Sequence, residues 1–176
     1  MKFPERSNNL ISVISILCVI MIHGCRNSES PDNNRKLSAE QLMEINHQLV
    51  IKDKERTENY IKRKDLKMEA TTSGLWYSVI SKGEGEILDE GSEVSLEYVC
   101  TLLDGTICYS SETDGLYKVI IGETEIPAGL DEGLRKLTYG SEAFFIIPSY
   151  LGYGLMGDGK RIPARAILTY KVKVLE

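Results

Sequence analysis

The chain has 176 residues, with 21 basic against 26 acidic side chains, a net charge of -5 and two histidines. That balance leaves no general positive field for a phosphate backbone and few imidazoles for a metal, so neither nucleic acid nor a metal is expected. With 42% hydrophobic residues, 27% charged residues and only 5 prolines, the composition suits one folded domain rather than a disordered or disulfide-stapled chain.

Residues 1–24 read as an export signal. Lys2 and Arg6 precede an uncharged apolar run over residues 10–22, and small Gly24 stands immediately before Cys25. The run is shorter than the ~20 residues a membrane-spanning helix needs. Ile22-His23-Gly24-Cys25 is similar to a bacterial lipobox, in which the cysteine is lipidated and becomes the first residue of the mature protein; His23 departs from the small residue usual at its position. An ordinary secretory signal ending near Gly24, or a chain anchored by its hydrophobic stretch, is the alternative, and each puts the folded part outside the cytoplasm, facing the periplasm in the lipoprotein reading. Residues 25–37 are too poor in apolar side chains to pack and form a polar tether. Ser38 and Gln41 can make a capping box, and residues 39–63 are rich in helix formers. Leu42, Ile45, Leu49 and Tyr60 give this helix a broken apolar stripe, which suits docking on a neighbour, pairing with a second copy of the chain, or a solvated spacer. His47 falls among its polar positions. A helical segment over residues 38–70 thus precedes a domain over residues 71–176.

From residue 71 the apolar period changes to two. Val94, Leu96, Tyr98, Cys100 and Leu102 share one face of a strand, with Ser95, Glu97 and Thr101 on the other. Further strands are expected at residues 75–80, 117–121, 142–147 and 166–174. One short helix begins near Gly129, buries Leu130, Leu134 and Leu137, and stops before Gly140, a candidate left-handed cap. The class is α+β, an antiparallel sheet packed on one helix. Cys100 and Cys108 flank Asp104-Gly105, a turn signal whose three-residue-loop register sets them opposite each other; a cross-strand disulfide and two buried thiols are both open. Gly83-Glu84-Gly85-Glu86 carries carboxylates where a phosphate loop needs donors and reads as a connection between strands. Residues 157–161 lack the ligand spacing of a calcium loop and read as a mobile flap beside Tyr153. His47 lies outside the domain, so no serine or cysteine triad can be assembled in it.

Taken together, Tyr98, Asp104-Gly105-Thr106, Ser110-Ser111, Gly129-Leu130-Asp131-Glu132-Gly133-Leu134, Gly140, Ile147-Pro148, Gly152-Tyr153-Gly154, Ile162-Pro163 and Leu168 resemble the FKBP family of peptidyl-prolyl cis-trans isomerases in order and spacing, over about residues 83–176. With the lipobox and the helical leader, the chain resembles gliding-motility-associated FKBP-type lipoproteins of Bacteroidetes. The resemblance implies a curved antiparallel sheet wrapped on a short helix, with a shallow apolar pocket between them that takes a prolyl ring of a polypeptide client and needs no cofactor.

Carried over position by position, the resemblance puts Tyr98 and Tyr153 at the reacting bond. It lines the pocket with Cys108, Tyr109, Tyr117, Ile126, Leu130, Ile162 and Tyr170. Several depart from the family pattern: Cys108 stands in place of a phenylalanine, Tyr109 of an aspartate and Leu130 of a tryptophan. Pro127 replaces a residue whose backbone N–H would bond the substrate carbonyl, and proline has no such donor. Leu130 is expected to deepen the pocket floor, and Tyr109 to refill the space beside Tyr98. Two functions follow: a lipid-anchored isomerase that helps envelope or secreted proteins fold, weakened by these changes, or a lipoprotein that grips or chaperones proline segments without turnover.

Overall fold

Among the described residues, seven strands and three helices form, most of them where the alternation of the sequence and the helical run before it place them. The computed structural model describes residues 38–123 and 125–175; the lipobox, Cys25 and the tether lie outside them. Helix α1 is Ala39–Lys64. The strands are β1 Glu69–Ala70, β2 Trp76–Ser81, β3 Glu93–Leu102, β4 Ile107–Ser110, β5 Tyr117–Ile120, β6 Glu142–Ile147 and β7 Leu168–Leu175. Between them lie the single turn α2 Ser111–Asp114 and helix α3 Ala128–Leu134.

All pairings are antiparallel, in the order β1-β2-β6-β7-β3-β4, and β5 shares the outer edge of β3 with β4. The register sets Cys100 opposite Tyr170 and Tyr170 opposite Phe145, so residues far apart in the chain form one row on one face. On that face Leu96, Cys100, Phe145, Ile147, Leu168 and Val172 are buried against Leu130 and Leu134 of α3. The period-two pattern produced this face because one-sided burial leaves a strand only one register that hides its apolar set.

Helix α3 lies unusually near β6. A Cβ on Gly129 would stand 2.6 Å from Ile147 Cγ2, and one on Gly133 would stand 2.9 Å from the ring of Phe145. Glycine at both positions, one helical turn apart, is what lets the backbone come so close. The helix is shorter than its sequence pattern suggests. It ends at Leu134, because the following residues are drawn into pairing with the 86–88 segment: Leu88 N–H donates to Leu137 O at 2.9 Å, and Ile87 bridges Thr138. Gly140, with φ 81°, therefore serves the turn that enters β6 and not the end of α3.

The sequence boundary near residue 71 is no break in packing, since Ala39–Glu176 forms one unit. Asp53 and Thr57 of α1 are 1% and 0% exposed. The Asp53 carboxylate accepts from the N–H and the hydroxyl of Ser149, just after β6. At this end the outward face of the sheet is buried too, at Ile146 and Thr169, with Thr169 sharing a 2.7 Å hydrogen bond with Thr101. So α1 leans on the domain through its second half, while Leu42, Met43 and Ile45 stay exposed.

Strands β1 and β4 have no counterpart among the expected elements. Each is too short to show a period, and β4 carries a bulge: Thr101 pairs with Ile107 but Cys100 with Tyr109. The three-residue loop register therefore holds beside the turn and slips at Cys108. Cys100 and Cys108 are both buried and not bonded to each other, the arrangement of the two-thiol alternative.

Gly133→Ala should lower unfolding free energy by about 1–3 kcal/mol, the usual cost of overfilling a packed contact, while the exposed Gly105→Ala control tests positive-φ strain without a clash; urea melts of both measure the difference.

Candidate functional site

Strand β3 places Tyr98 where its outer edge passes from β5 to β4. Backbone groups left free there are taken by the Ser110-Ser111 pair. The Ser111 hydroxyl accepts from Tyr98 N–H at 3.1 Å, and Ser110 caps α2 by accepting from Thr113 N–H. Tyr98 is thus fixed by backbone as well as by ring packing. Its ring centroid lies 5.5 Å from that of Tyr117, tilted 47°, and 6.4 Å from that of Tyr170, nearly parallel at 23°. These are favourable aromatic separations.

Tyr153 reaches the same cluster from the loop after β6. That loop is built by a short 3-10 turn at Ser149–Leu151, with Gly154 N–H donating to Ser149 O at 2.7 Å and Gly157 N–H to Tyr153 O at 3.1 Å. Burial pushes the Tyr153 phenol up to about 12, with Tyr117, Cys100 and Asp158 adding to the shift and the adjoining Tyr170 opposing it. Burial also raises the phenols of Tyr98, Tyr117 and Tyr170, and takes the Cys100 thiol up to about 12. Every one of these groups is a neutral hydrogen-bond donor at physiological pH, and none is an acid, base or thiolate in waiting.

The residues named from the sequence fall into two layers. Leu130, Tyr170, Cys108 and Ile162 are 0–3% exposed and back the site from within the core. Leu130 in particular has no surface to offer a ligand, which corrects the expectation of a deepened floor: with a leucine here the core closes over the position. Tyr98, Tyr109, Tyr117 and Tyr153 are half-buried and carry the accessible surface, and Ile126 lies at the border with 9%. Pro127 is buried at the start of α3, and its carbonyl accepts from Leu130 N–H at 2.9 Å and Asp131 N–H at 3.0 Å. Lacking an N–H, it supplies no backbone donor to the site.

Tyr109 departs from its expected part. Its hydroxyl donates to the Asp158 carboxylate and does not turn to Tyr98. Asp158 also accepts from Lys160 N–H and Ile162 N–H, both at 2.8 Å. Burial pushes the Asp158 carboxyl up, but the hydrogen bonds from Tyr109 and these amides outweigh it and hold the group below its ordinary value. The same hydrogen bond carries the Tyr109 phenol up to about 12. Arg161 lies 4.7 Å over the Tyr109 ring and donates to Cys108 O at 3.1 Å and to Asp114 at 2.8 Å. Residues 157–162 are therefore fastened to β4 and α2, where the sequence suggested a mobile flap. Asp158, Arg161 and Asp114 were not among the expected site residues. An Asx-type Asp158 between two glycines signals a turn, but nothing in the sequence shows which strand the turn meets.

A family profile described as FKBP-type peptidyl-prolyl cis-trans isomerase matches residues 85–175. The "Probable FKBP-type peptidyl-prolyl cis-trans isomerase FkpA" of Neisseria meningitidis serogroup B is 35% identical over 126 residues, 70% of this chain and 46% of that protein. FK506-binding protein 1 of Dictyostelium discoideum is 32% identical over 103 residues, 58% of this chain and 96% of that one. The chain thus spans less than half the length of the Neisseria relative. Among solved structures, FkpA from Escherichia coli aligns with a TM-score of 0.63 at 22% identity, over 97% of this chain and 83% of that one, a likeness of fold.

Asp158→Asn and Tyr109→Phe should each cost about 1 kcal/mol of stability, the scale of a half-exposed charge-assisted hydrogen bond. Because the folded carboxyl sits below its usual 3.8, the contribution is full above that value and is lost as pH falls through the depressed one. Urea melts across acid pH should show the wild-type advantage over Asp158→Asn constant at neutral pH and vanishing only at the acid end.

Proposed function

The chain belongs to the FKBP-type peptidyl-prolyl cis-trans isomerase family, and on that footing we propose that it accelerates cis-trans exchange of X-Pro bonds in envelope or secreted polypeptides, held outside the cytoplasm by a lipid on Cys25. The observation that carries this reading is the cluster in which Tyr98 packs on both Tyr117 and Tyr170 and Tyr153 adjoins Tyr170, in a fold that encloses their inner sides with apolar residues.

The chemistry asks for shape and dryness, not for a nucleophile. Rotation about a peptide bond has a barrier of about 18–20 kcal/mol because the planar amide is resonance-stabilised, and uncatalysed X-Pro exchange takes tens to hundreds of seconds. A ring held among half-buried aromatic faces leaves water behind, and loss of water favours the twisted amide, whose charge separation is smaller. Phenol hydroxyls that stay protonated can hold the carbonyl without exchanging a proton. Each tenfold of acceleration requires about 1.4 kcal/mol of preference for the twisted state.

A second reading, binding without turnover, is favoured by one feature: Pro127 occupies the position from which a backbone N–H would reach the substrate carbonyl. The two readings part in a single experiment. Exchange in a short proline peptide, followed with the purified protein, should exceed the uncatalysed rate. It should fall about tenfold with Tyr153→Phe, and rise about three- to tenfold with Pro127→Ile, which restores a donor worth roughly 1 kcal/mol. An uncatalysed rate in all three proteins, alongside measurable peptide binding, would establish the binding module instead.

The anchor is tested separately. Cys25→Ser should move the protein from the membrane fraction to the soluble fraction of the envelope; an unchanged distribution removes the lipid from the proposal.

A further inference from the structure

On α1, Arg56, Asn59 and Arg63 recur at i, i+3 and i+7 and so form one stripe. They face Leu102–Asp104 and the 163–167 segment across a groove of about 700 Å³. Arg165 reaches in from the far side, its backbone held at φ 58°, a region sparsely used by residues other than glycine. Its Nε is buried without a hydrogen-bond partner. Two carboxylates meet the residues of this groove in ways that matter to its charge. Asp53 lies beneath, 4.0 Å from Arg56 and 3.9 Å from Arg165, with its other oxygen committed to Ser149. Asp104 sits at the rim and accepts from Thr106 N–H at 2.9 Å. Arg63 packs 5.9 Å from the Tyr60 ring and has no carboxylate within ion-pair distance among the described residues. A chain of net charge -5 thus has a cationic cleft with an apolar wall made by Pro163 and Ala166.

We propose that this groove binds an acidic segment of another polypeptide, extended in the polyproline II form, with carboxylates three residues apart. Spacing selects that occupant. Arg63 lies seven helical steps beyond Arg56, about 10.5 Å along the axis at 1.5 Å per residue. A polyproline II segment has three residues per turn and rises ~3.1 Å per residue, so carboxylates at i and i+3 share a face about 9.3 Å apart. Guanidinium forks suit carboxylates at such spacing, and Pro163 and Ala166 offer apolar surface to the residues between them. A flat anionic bilayer has no ridge to enter the cleft and reach Arg165. The inference concerns a surface separate from the tyrosine cluster and does not depend on turnover there.

The test is fluorescence anisotropy of the full protein with a labelled nonapeptide of three Glu-Pro-Ala repeats, against its glutamine counterpart and against a peptide with the three glutamates adjacent. The repeat should bind best, weaken as salt rises, and lose about tenfold in affinity with Arg63→Glu. Arg63→Lys should fall between, since it keeps the charge without the fork. Arg63 is exposed in the last turn of α1, and far-UV circular dichroism with a thermal melt verifies that the variant is folded. Equal binding of the glutamine peptide, indifference to Arg63→Glu, or capture of phosphatidylglycerol vesicles in place of the peptide would each overturn the proposal.

Discussion

Everything at the tyrosine cluster depends on how near one short helix comes to the sheet. With no side chain at Gly129 or Gly133, α3 rests directly on Ile147 and the ring of Phe145. Phe145 stands opposite Tyr170, and Tyr170 opposite Cys100. The row beneath the helix therefore continues into the row that carries the site. A larger residue at either glycine would lift α3 and open the layer of Leu130 and Leu134 on which the tyrosines rest. Packing at interior density transmits such a shift because it leaves no slack to absorb it.

Above that layer, the site is polar only at its tips. Four half-buried phenols meet an enclosed apolar backing, and their raised pKa values keep them as donors. Such a surface presents apolar faces and neutral donors, and none of these phenols gives up its proton near neutral pH. The wall beside it is held by charge. A carboxylate that resemblance would set on β4 is supplied here from the 157–162 loop, where Asp158 meets the Tyr109 hydroxyl and Arg161 covers the ring. Ile162 is fixed by the same carboxylate, so an ionic fastening outside the apolar site determines where one of its backing residues stands.

On the opposite face, α1 is joined by a buried polar contact where an apolar stripe was expected to do the work. Asp53 satisfies both donors of Ser149, and Ser149 O in turn accepts from Gly154 N–H beside Tyr153. A buried carboxylate is costly unless its oxygens are met. This one is met at one oxygen by Ser149 and faces two guanidiniums at the other. The arrangement gives α1 a defined angle on the sheet and leaves its Arg56-Asn59-Arg63 stripe aimed at the groove, while its first half keeps exposed apolar residues.

Periodicity determined a great deal by itself. The face of β3, the bounds of β6, the extent of α1 within one residue, and the Gly-x-x-x-Gly helix were all legible, because each rests on local spacing imposed by burial on one side. The order of motifs also pointed to the residues that meet at Tyr170. Other features depend on partners remote in the chain, and only the tertiary structure decided them. The bulge at Cys108 turns on which β3 residues pair beyond the loop. The early end of α3 turns on the 86–88 segment drawing Leu137–Tyr139 into a bridge. Tyr109 finds Asp158 across 49 positions, and Asp53 finds Ser149 across 96. A local pattern can specify which face of an element is apolar; which distant polar group will satisfy a buried donor is decided only when the elements have been packed together.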